Sequence, residues 1–149
     1  MIGIETSVLV LAHRADAPGH EVAADVLRRV AEGPAPWALP WMCVHEFLSI
    51  VTNPAIFADP TPVEVAMAQV DAWLSSPMVL PLSEGPAHGS ALRAAVEERL
   101  GSPMMLLRER RLAAICAQHG VRELWSTDEA LSAATGVAVR DPLLFDGSR

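Results

Sequence analysis

The sequence predicts a three-layer α/β fold, in which a central parallel sheet of about five short strands has helices on both faces. Five short apolar runs alternate along the chain with longer amphipathic stretches. Strands that alternate with helices are joined by crossover connections, and crossovers give parallel sheets. The 149 residues, 51% of them hydrophobic and 19% charged, suit one globular domain over residues 1–149. No stretch approaches the roughly 20 apolar residues of a membrane-spanning helix.

The chain opens with an apolar run over residues 1–4, which predicts a first strand that ends at Glu5. Thr6 or Ser7 is suited to cap the helix that follows. Gly19 precedes a second helix, which is amphipathic. The predicted inward side chains of this helix are Val22, Val26, Leu27 and Val30.

A Gly-Pro-Ala-Pro break over 33–36 separates that helix from a second strand, predicted over 37–39. Pro40 begins a helix that runs through Val51, and an Asn-Pro pair at 53–54 ends it. The strand therefore leads directly into a helix, as in other parallel α/β sheets.

The segment Thr61-Pro62-Val63-Glu64 signals the start of the next helix. Thr61 suits the N-cap, Pro62 the first helical position, and Glu64 the reciprocal position of a capping box. The helix is predicted to run to Leu74. Its predicted inward side chains are Val63, Met67, Val70 and Leu74.

The second half of the chain continues the alternation. The predicted elements, in order, are a strand over 78–82, helices over 86–100 and 104–118, a strand over 123–126, a short helix over 128–133 and a strand over 137–139. Gly120 suits the position just after the helix over 104–118. Ligand sites in such folds lie outside the carboxyl ends of the strands, so polar residues at those ends are the candidates for function.

The charge balance limits the classes of partner. The net charge is −7, and all 11 basic residues are Arg. This balance argues against a protein that grips nucleic acid through general electrostatics, but it leaves open a local concentration of acidic groups. Cys43 and Cys116 lie far apart in apolar surroundings and are predicted to be buried free thiols. No basic region precedes Glu5, so no secretory signal is expected and a cytoplasmic location is predicted.

Four carboxylates occupy strand ends or apolar helix faces. Glu5 closes the first strand, and Asp128 follows the fourth strand at a helix start. Glu46 and Glu109 each share a helix face with apolar side chains, where a charge must be paired, protonated or bound to a cation. The sequence contains no Lys to pair these acids, and few Arg have a suitable placement. Oxygen ligands that converge without a counter-charge predict a Mg²⁺ or Mn²⁺ site.

Each of these carboxylates also has a purely structural interpretation. Glu5 can settle on a helix dipole, and Asp128 can belong to a capping box over 126–129. Glu46 and Glu109 can lie at the edge of an apolar stripe. On the residues alone, the structural and the metal-binding interpretations are both open.

Several short segments stand in a recognisable order along the chain. They are IETSVLV at 4–10, AHR at 12–14, PWALPW at 36–41, VHEFL at 44–48, TNPAIF at 52–57, LAA at 112–114, HGV at 119–121 and ELWSTD at 123–128. Together they resemble the PIN-domain ribonucleases, specifically the VapC toxins of bacterial toxin–antitoxin pairs in an actinobacterial subgroup. The resemblance covers nearly the full length of the chain.

The resemblance implies a PIN-like sheet with helices around it, a homodimer, and a cluster of acids that holds Mg²⁺. Glu5 stands where the first strand of the family normally ends in Asp, and Glu46 matches the family's helix-borne Glu. Glu109 replaces an Asp that is normally followed by Ala, where this chain has Arg110. Asp128 matches the acid after the fourth strand, but an auxiliary acid two residues later is replaced by Ala.

The function that this resemblance implies is a Mg²⁺-dependent endoribonuclease toxin, with Mn²⁺ as a substitute cation. Its catalytic residues and metal ligands would be Glu5, Glu46, Glu109 and Asp128. Its partners would be RNA, a small VapB-like antitoxin and a second copy of the chain, with no membrane. One alternative is a catalytically impaired or inert PIN domain that keeps antitoxin or RNA binding, because two acids are one methylene longer than Asp. Another is an unrelated metal-dependent phosphohydrolase that acts on small phosphoesters.

Several polar residues are weaker candidates. Thr6 and Ser126 can orient carboxylates or cap helices. The arginines that could contact RNA phosphates, if they are not simply solvated, are Arg14, Arg108, Arg110 and Arg111. His13 and His45 are expected to be partly buried and hydrogen-bonded near the site.

Overall fold

A computed structural model of the chain describes residues 1–97, 107–129, 131 and 137–144. Within these residues, five short strands form one sheet. They are β1 (Ile2–Ile4), β2 (Trp37–Pro40), β3 (Val79–Leu82), β4 (Glu123–Trp125) and β5 (Ala138–Arg140). Their order across the sheet is β3-β2-β1-β4-β5, and every neighbouring pair is parallel. The predicted α/β class and parallel sheet are confirmed.

Six α-helices flank the sheet in the part of the chain that the structure describes. They are α1 (Thr6–His13), α2 (His20–Glu32), α3 (Trp41–Val51), α4 (Val63–Leu74), α5 (His88–Glu97) and α6 (Leu107–Gln118). Half of the predicted short helix over 128–133 lies outside the described residues, as do the predicted helical residues 98–100 and 104–106. No described helix is both long and apolar enough to cross a membrane.

The strand order reverses beside the central strand β1. From β1 the chain steps to β2 and β3 on one side, and later to β4 and β5 on the other. The carboxyl ends of β1 and β4 therefore flank a topological switch point, where parallel α/β sheets bind their ligands. The amide of Glu5 donates to the carbonyl of Trp125 over 3.0 Å, so the end of β1 is fixed against the end of β4.

The hydrophobic core packs against the sheet and fixes the position of helix α3. Trp37 of β2 and Phe47 of α3 are fully buried, and the Phe47 ring meets Trp73 of α4 edge-on with centroids 4.8 Å apart. Cys43 and Cys116 are buried and free, as predicted. Burial raises the pKa of the Cys116 thiol to about 12, so this thiol is protonated at neutral pH.

The buried face of α4 differs from the predicted one. Val63 and Met67, both predicted to point inward, are 59% and 41% exposed. The side chains that α4 buries are Ala66, Val70 and Trp73. Burial of the largest of them, Trp73, against Phe47 stabilises the fold most. The residues three and seven positions before Trp73 lie on the same helix face and are therefore buried with it. In α2, Val22 is likewise exposed rather than inward.

The start of α4 also shifts by one residue. Pro62, rather than the predicted Thr61, occupies the N-cap position. The Thr61 hydroxyl is instead 3.2 Å from His13 Nε2 at the end of α1. Thr61 therefore joins α4 to α1, and His13 is partly buried and hydrogen-bonded, as expected.

Candidate active site

Glu5 follows β1 and caps helix α1, and the prediction that Thr6 or Ser7 caps this helix is wrong. Glu5 Oε2 accepts hydrogen bonds from the Ser7 amide at 2.8 Å and from the Ser126 hydroxyl at 3.0 Å. Only 2% of Glu5 is exposed. Its side chain folds back to the Ser7 amide, which has no partner within the helix. This leaves the other oxygen, Oε1, for a second partner.

Glu5 keeps its charge inside the protein. Burial by itself raises the pKa of this carboxyl, but hydrogen bonds from Ser7 and Arg108 outweigh it and hold the pKa below its ordinary value. Arg108 Nη2 donates to Glu5 Oε1 at 2.5 Å. Glu5 is therefore an ionised carboxylate at neutral pH, at the switch point of the sheet.

Glu46 brings a second carboxylate to the same place from helix α3. The Thr6 hydroxyl and Arg108 Nη2 both donate to Glu46 Oε2, each at 2.6 Å. Arg108 Nε donates to the other oxygen, Oε1. Because α3 is anchored by the buried Cys43 and Phe47, the backbone that carries Glu46 is rigid.

Arg108 supplies a counter-charge that the sequence did not reveal. Its guanidinium lies between Glu5 and Glu46, and its Nη1 is 3.5 Å from Glu109 Oε1. The hydrogen bond to Glu46 is the main reason that the pKa of Arg108 is raised. The expectation that these acids lack a protein partner is wrong, because residues 62 and 103 positions apart in sequence meet only in the folded chain.

The other two predicted acids lie beside this ion cluster. Glu109 Oε2 is buried and has no hydrogen-bond partner among the described residues. Asp128 is exposed, and its amide donates to the Ser126 hydroxyl at 3.0 Å. The same hydroxyl donates to Glu5. The structure thus brings Glu5, Glu46 and Glu109 to one guanidinium and connects the backbone of Asp128 to Glu5 through the Ser126 hydroxyl.

This cluster holds a guanidinium where the sequence predicts a metal ion. No three Asp, Glu, His or Cys side chains in the described part of the chain are arranged to hold a metal. The donors nevertheless suit a hard divalent cation, because all of them are carboxylate oxygens. Glu5 Oε1 and Glu46 Oε2 lie 2.5 and 2.6 Å from the same atom, Arg108 Nη2. One oxygen of each of these two carboxylates therefore points at a single cation position, which the Arg108 guanidinium occupies.

The four arginines predicted to contact RNA have different surroundings. Arg14 and Arg110 are buried, so the alternative that they are solvated side chains is wrong, and their contact with RNA stays a prediction. Arg14 is held inward by the Asp59 carbonyl, to which it donates at 2.8 Å, and by the Phe57 ring, while its guanidinium also binds both oxygens of Asp16. Arg108 and Arg111 line one cavity together with Glu46, and Arg111 is also paired with Glu84.

That cavity, of about 260 Å³, was not anticipated from the sequence. Its lining comprises Met42, His45, Glu46, Ser49, Arg108 and Arg111. His45 is exposed rather than partly buried, and its ring tilts against Trp41 with centroids 6.1 Å apart. The signal in the sequence is the spacing of four and three residues that puts Met42 and Ser49 on the helix face of Glu46.

No protein-family model matches the chain. Two relatives are similar in sequence. VapC ribonuclease Mb2897 of Mycobacterium bovis is 37% identical over 93 residues, which are 62% of this chain and 63% of that protein, so the match spans less than two thirds of the relative. Ribonuclease VapC25 of Mycobacterium tuberculosis is 34% identical over 119 residues, which are 80% of this chain and 83% of that protein.

Solved structures share the fold at lower identity. VapC20 of Mycobacterium tuberculosis, described as a Sarcin-Ricin loop cleaving toxin, is 18% identical with a TM-score of 0.60, over 90% of this chain and 95% of that one. VapBC2 of Rickettsia felis, bound to a DNA fragment from its promoter, is 14% identical with a TM-score of 0.63, over 94% of this chain and 98% of that one. At these identities the similarity establishes the fold.

Proposed function

The chain belongs to the VapC family of PIN-domain toxins, and from that premise we propose that it is a Mg²⁺-dependent endoribonuclease, with Mn²⁺ as a substitute cation. Family membership follows from a VapC relative that is 34% identical over 80% of this chain, together with the shared fold. The relatives carry the name ribonuclease, which supports cleavage of RNA phosphodiester bonds as the reaction.

The convergence of two carboxylates on one cation position carries this proposal. Glu5 reaches that position from β1 and Glu46 reaches it from α3, at the switch point of the sheet. Glu109 and Asp128 complete the set of four proposed catalytic residues and metal ligands. A bound Mg²⁺ would stabilise negative charge on the phosphate and lower the pKa of a water nucleophile.

The chain's own residues orient the acids and receive the substrate. Thr6 holds Glu46 Oε2 and Ser126 holds Glu5 Oε2, so each carboxylate has a fixed direction. Arg111, which is about half exposed beside Glu46 and pairs with the partly exposed Glu84, is the proposed contact for an RNA phosphate. Positive charge from Arg111 and from a bound divalent cation would allow a protein of net charge −7 to bind RNA beside these acids.

The proposed partners are a small VapB-like antitoxin and a second copy of the chain, in the cytoplasm. The VapBC2 assembly among the structural neighbours supports an antitoxin partner. Apolar side chains of α4 that face solvent offer a surface for such a contact. They are Val63, Val65 and Met67.

The ion cluster itself favours a second candidate, a catalytically impaired PIN domain that keeps antitoxin or RNA binding. Arg108 occupies the cation position, and Glu5 and Glu109 carry one methylene more than the Asp of the family. A displacement of about 1 Å at a catalytic centre can lower a rate on the order of a hundredfold. If the longer side chains are the defect, the double variant Glu5→Asp, Glu109→Asp gains activity over the natural chain.

A cleavage assay on purified protein tests the proposed function. Structured RNAs are incubated with Mg²⁺, with Mn²⁺ or with EDTA, beside an Asp128→Ala variant and a small phosphodiester substrate. We expect metal-dependent cleavage of RNA only, well above the Asp128→Ala background. Cleavage no greater than that background would leave the impaired PIN domain as the function, and turnover of the small substrate would indicate an unrelated phosphohydrolase.

A further inference from the structure

Arg108 contacts three of the four carboxylates proposed for catalysis. Its Nη2 donates to Glu5 Oε1 at 2.5 Å and to Glu46 Oε2 at 2.6 Å, and its Nη1 lies 3.5 Å from Glu109 Oε1. Its Nε donates to the remaining oxygen of Glu46, so that carboxylate is held in a two-point contact. Two-point contacts between a guanidinium and a carboxylate are strong and directional. Arg108 therefore joins acids from the end of β1, from α3 and from α6.

The guanidinium and a divalent cation exclude each other from this position. Mg²⁺ binds oxygens at about 2.0–2.1 Å, and the oxygens it would take from Glu5 and Glu46 are the two that hold Arg108 Nη2. Two cations on the same pair of oxygens would also repel each other. Arg108 thus occupies the position, and supplies the positive charge, of a bound metal cation.

The surroundings of Arg108 give its guanidinium a place to withdraw to. A third of the side chain, 33%, is exposed, and it lines the cavity of about 260 Å³ beside Glu46. His45 and Ser49, which also line that cavity, are both exposed. The Arg108 guanidinium therefore borders open space on one side rather than packed core.

We infer that Arg108 is an internal counter-ion that competes with a divalent cation for Glu5 and Glu46, so that the cation binds only as this guanidinium withdraws. The inference rests on the proposed metal-dependent function and assigns a regulatory contact to the same site. Without metal, Arg108 neutralises the buried Glu5 and keeps the acids together. With metal, the guanidinium is released toward the cavity in which Arg111 is the proposed phosphate contact.

Competition of this kind weakens metal binding by a definite factor. The apparent dissociation constant for the cation is the intrinsic constant divided by the fraction of molecules in which Arg108 has left the acids. If that fraction is roughly 1–10%, removal of Arg108 tightens metal binding on the order of ten- to a hundredfold.

Metal binding without RNA tests the inference directly. Mn²⁺ is titrated calorimetrically into the natural chain, into Arg108→Gln and into the control Arg28→Gln. The control removes a guanidinium that also bridges two carboxylates, Asp25 and Glu32, but on the surface of α2. We expect Arg108→Gln to bind Mn²⁺ at least tenfold more tightly, and Arg28→Gln to bind it as the natural chain does.

The outcomes separate the inference from the proposed function. Mn²⁺ binding by Arg108→Gln that is no tighter than in the natural chain overturns the inference, whether or not RNA is cleaved. Tighter binding by Arg108→Gln, in the absence of RNA cleavage by either protein, supports the inference and refutes the endoribonuclease function. An equal gain in Arg28→Gln would attribute the effect to net charge and would also overturn the inference.

A measurement on the natural chain covers the case in which Arg108→Gln does not fold. The Nε–H group of Arg108 is hydrogen-bonded to Glu46, so its NMR signal reports that contact. We expect Mg²⁺ to shift this signal while the Arg28 signal stays in place. An Arg108 signal that is unchanged at saturating Mg²⁺ would overturn the inference.

Discussion

Arg14 and Arg108 both bind carboxylates, yet their surroundings differ in kind. The Arg14 guanidinium binds both oxygens of Asp16 at 2.8 and 2.7 Å, and lies over the Phe57 ring, 4.1 Å from its centre. It also donates to the Asp59 carbonyl at 2.8 Å, so it fastens the loop before α4 to the end of α1. Arg108 binds acids from three elements, and a cavity lies beside it.

The comparison shows which member of each ion pair can be replaced by water or by another ion. The Arg14 side chain is 10% exposed and its acid, Asp16, is 64% exposed. Water can therefore solvate the Asp16 carboxylate in place of Arg14, but it cannot solvate the buried guanidinium. For Arg108 the burial is reversed, because its partner Glu5 has a side chain that is only 3% exposed. A buried acid needs a cation at all times, whereas a partly exposed cation can be exchanged for another.

The largest effect should follow from removal of the charge of Glu46, which accepts two donors of Arg108. We expect Glu46→Gln to lower the rate of RNA cleavage by at least roughly a hundredfold, since the amide removes one of the converging negative charges that would hold Mg²⁺. The matched change at the other arginine, Asp16→Asn, should leave the rate unchanged. Single-turnover cleavage in Mg²⁺ measures both, and a large loss in Asp16→Asn would erase the contrast between the two clusters.

Removal of the structural arginine should cost the most stability. Arg14→Met should lower the free energy of unfolding by roughly 2 kcal/mol, because an ion pair with the exposed Asp16, a backbone hydrogen bond and a cation–π contact are lost together. Addition of Mg²⁺ should restore none of this loss. Urea denaturation with EDTA and with Mg²⁺ measures the effect, and recovery of stability in Mg²⁺ would mean that the Arg14 cluster also exchanges cations.

Removal of the exchangeable arginine should have a smaller effect that depends on metal. In EDTA, Arg108→Gln should lower the free energy of unfolding by about 1–2 kcal/mol, since Glu5 loses its counter-ion but keeps its hydrogen bonds. Mn²⁺ should offset this loss by taking the place of the guanidinium. Thermal unfolding with and without Mn²⁺ measures it. The same loss in both conditions would show that Arg108 is a fixed structural ion, as Arg14 is.

The smallest effect concerns His13, beside Arg14. Burial, together with the positive charge of Arg14, lowers the pKa of His13 from its ordinary value of 6.5. The neutral ring is thus favoured in the folded state, and its contribution to stability is present above pH 6.5 and is lost as the pH falls below it. The melting temperature of the natural chain should fall slightly more than that of His13→Asn between pH 7.5 and 5.5. Parallel curves for the two proteins would contradict this.

The sequence predicted the elements that depend on local patterns. Five apolar runs and the helices between them follow from periodicity and from stop signals such as Gly120, which has a φ of 67° after α6. The sequence singles out Glu5 because it closes the first strand, and Glu46 because it shares a helix face with apolar side chains. The structure brings one oxygen of each to Arg108 Nη2. The roles of Glu109 and Asp128 as metal ligands stay predictions.

The tertiary structure alone decided the partners of the charges and the inward faces of the helices. Arg108 meets Glu5 across 103 positions of the chain, and no local pattern records such a distance. Arg14 has the sequence surroundings of a surface cation, but the folded chain places it against the Phe57 ring. In α4, Trp73 rather than Met67 lies on the buried face. Periodicity acts over neighbouring turns and strands, whereas ion pairing and packing depend on which distant side chains share the same space.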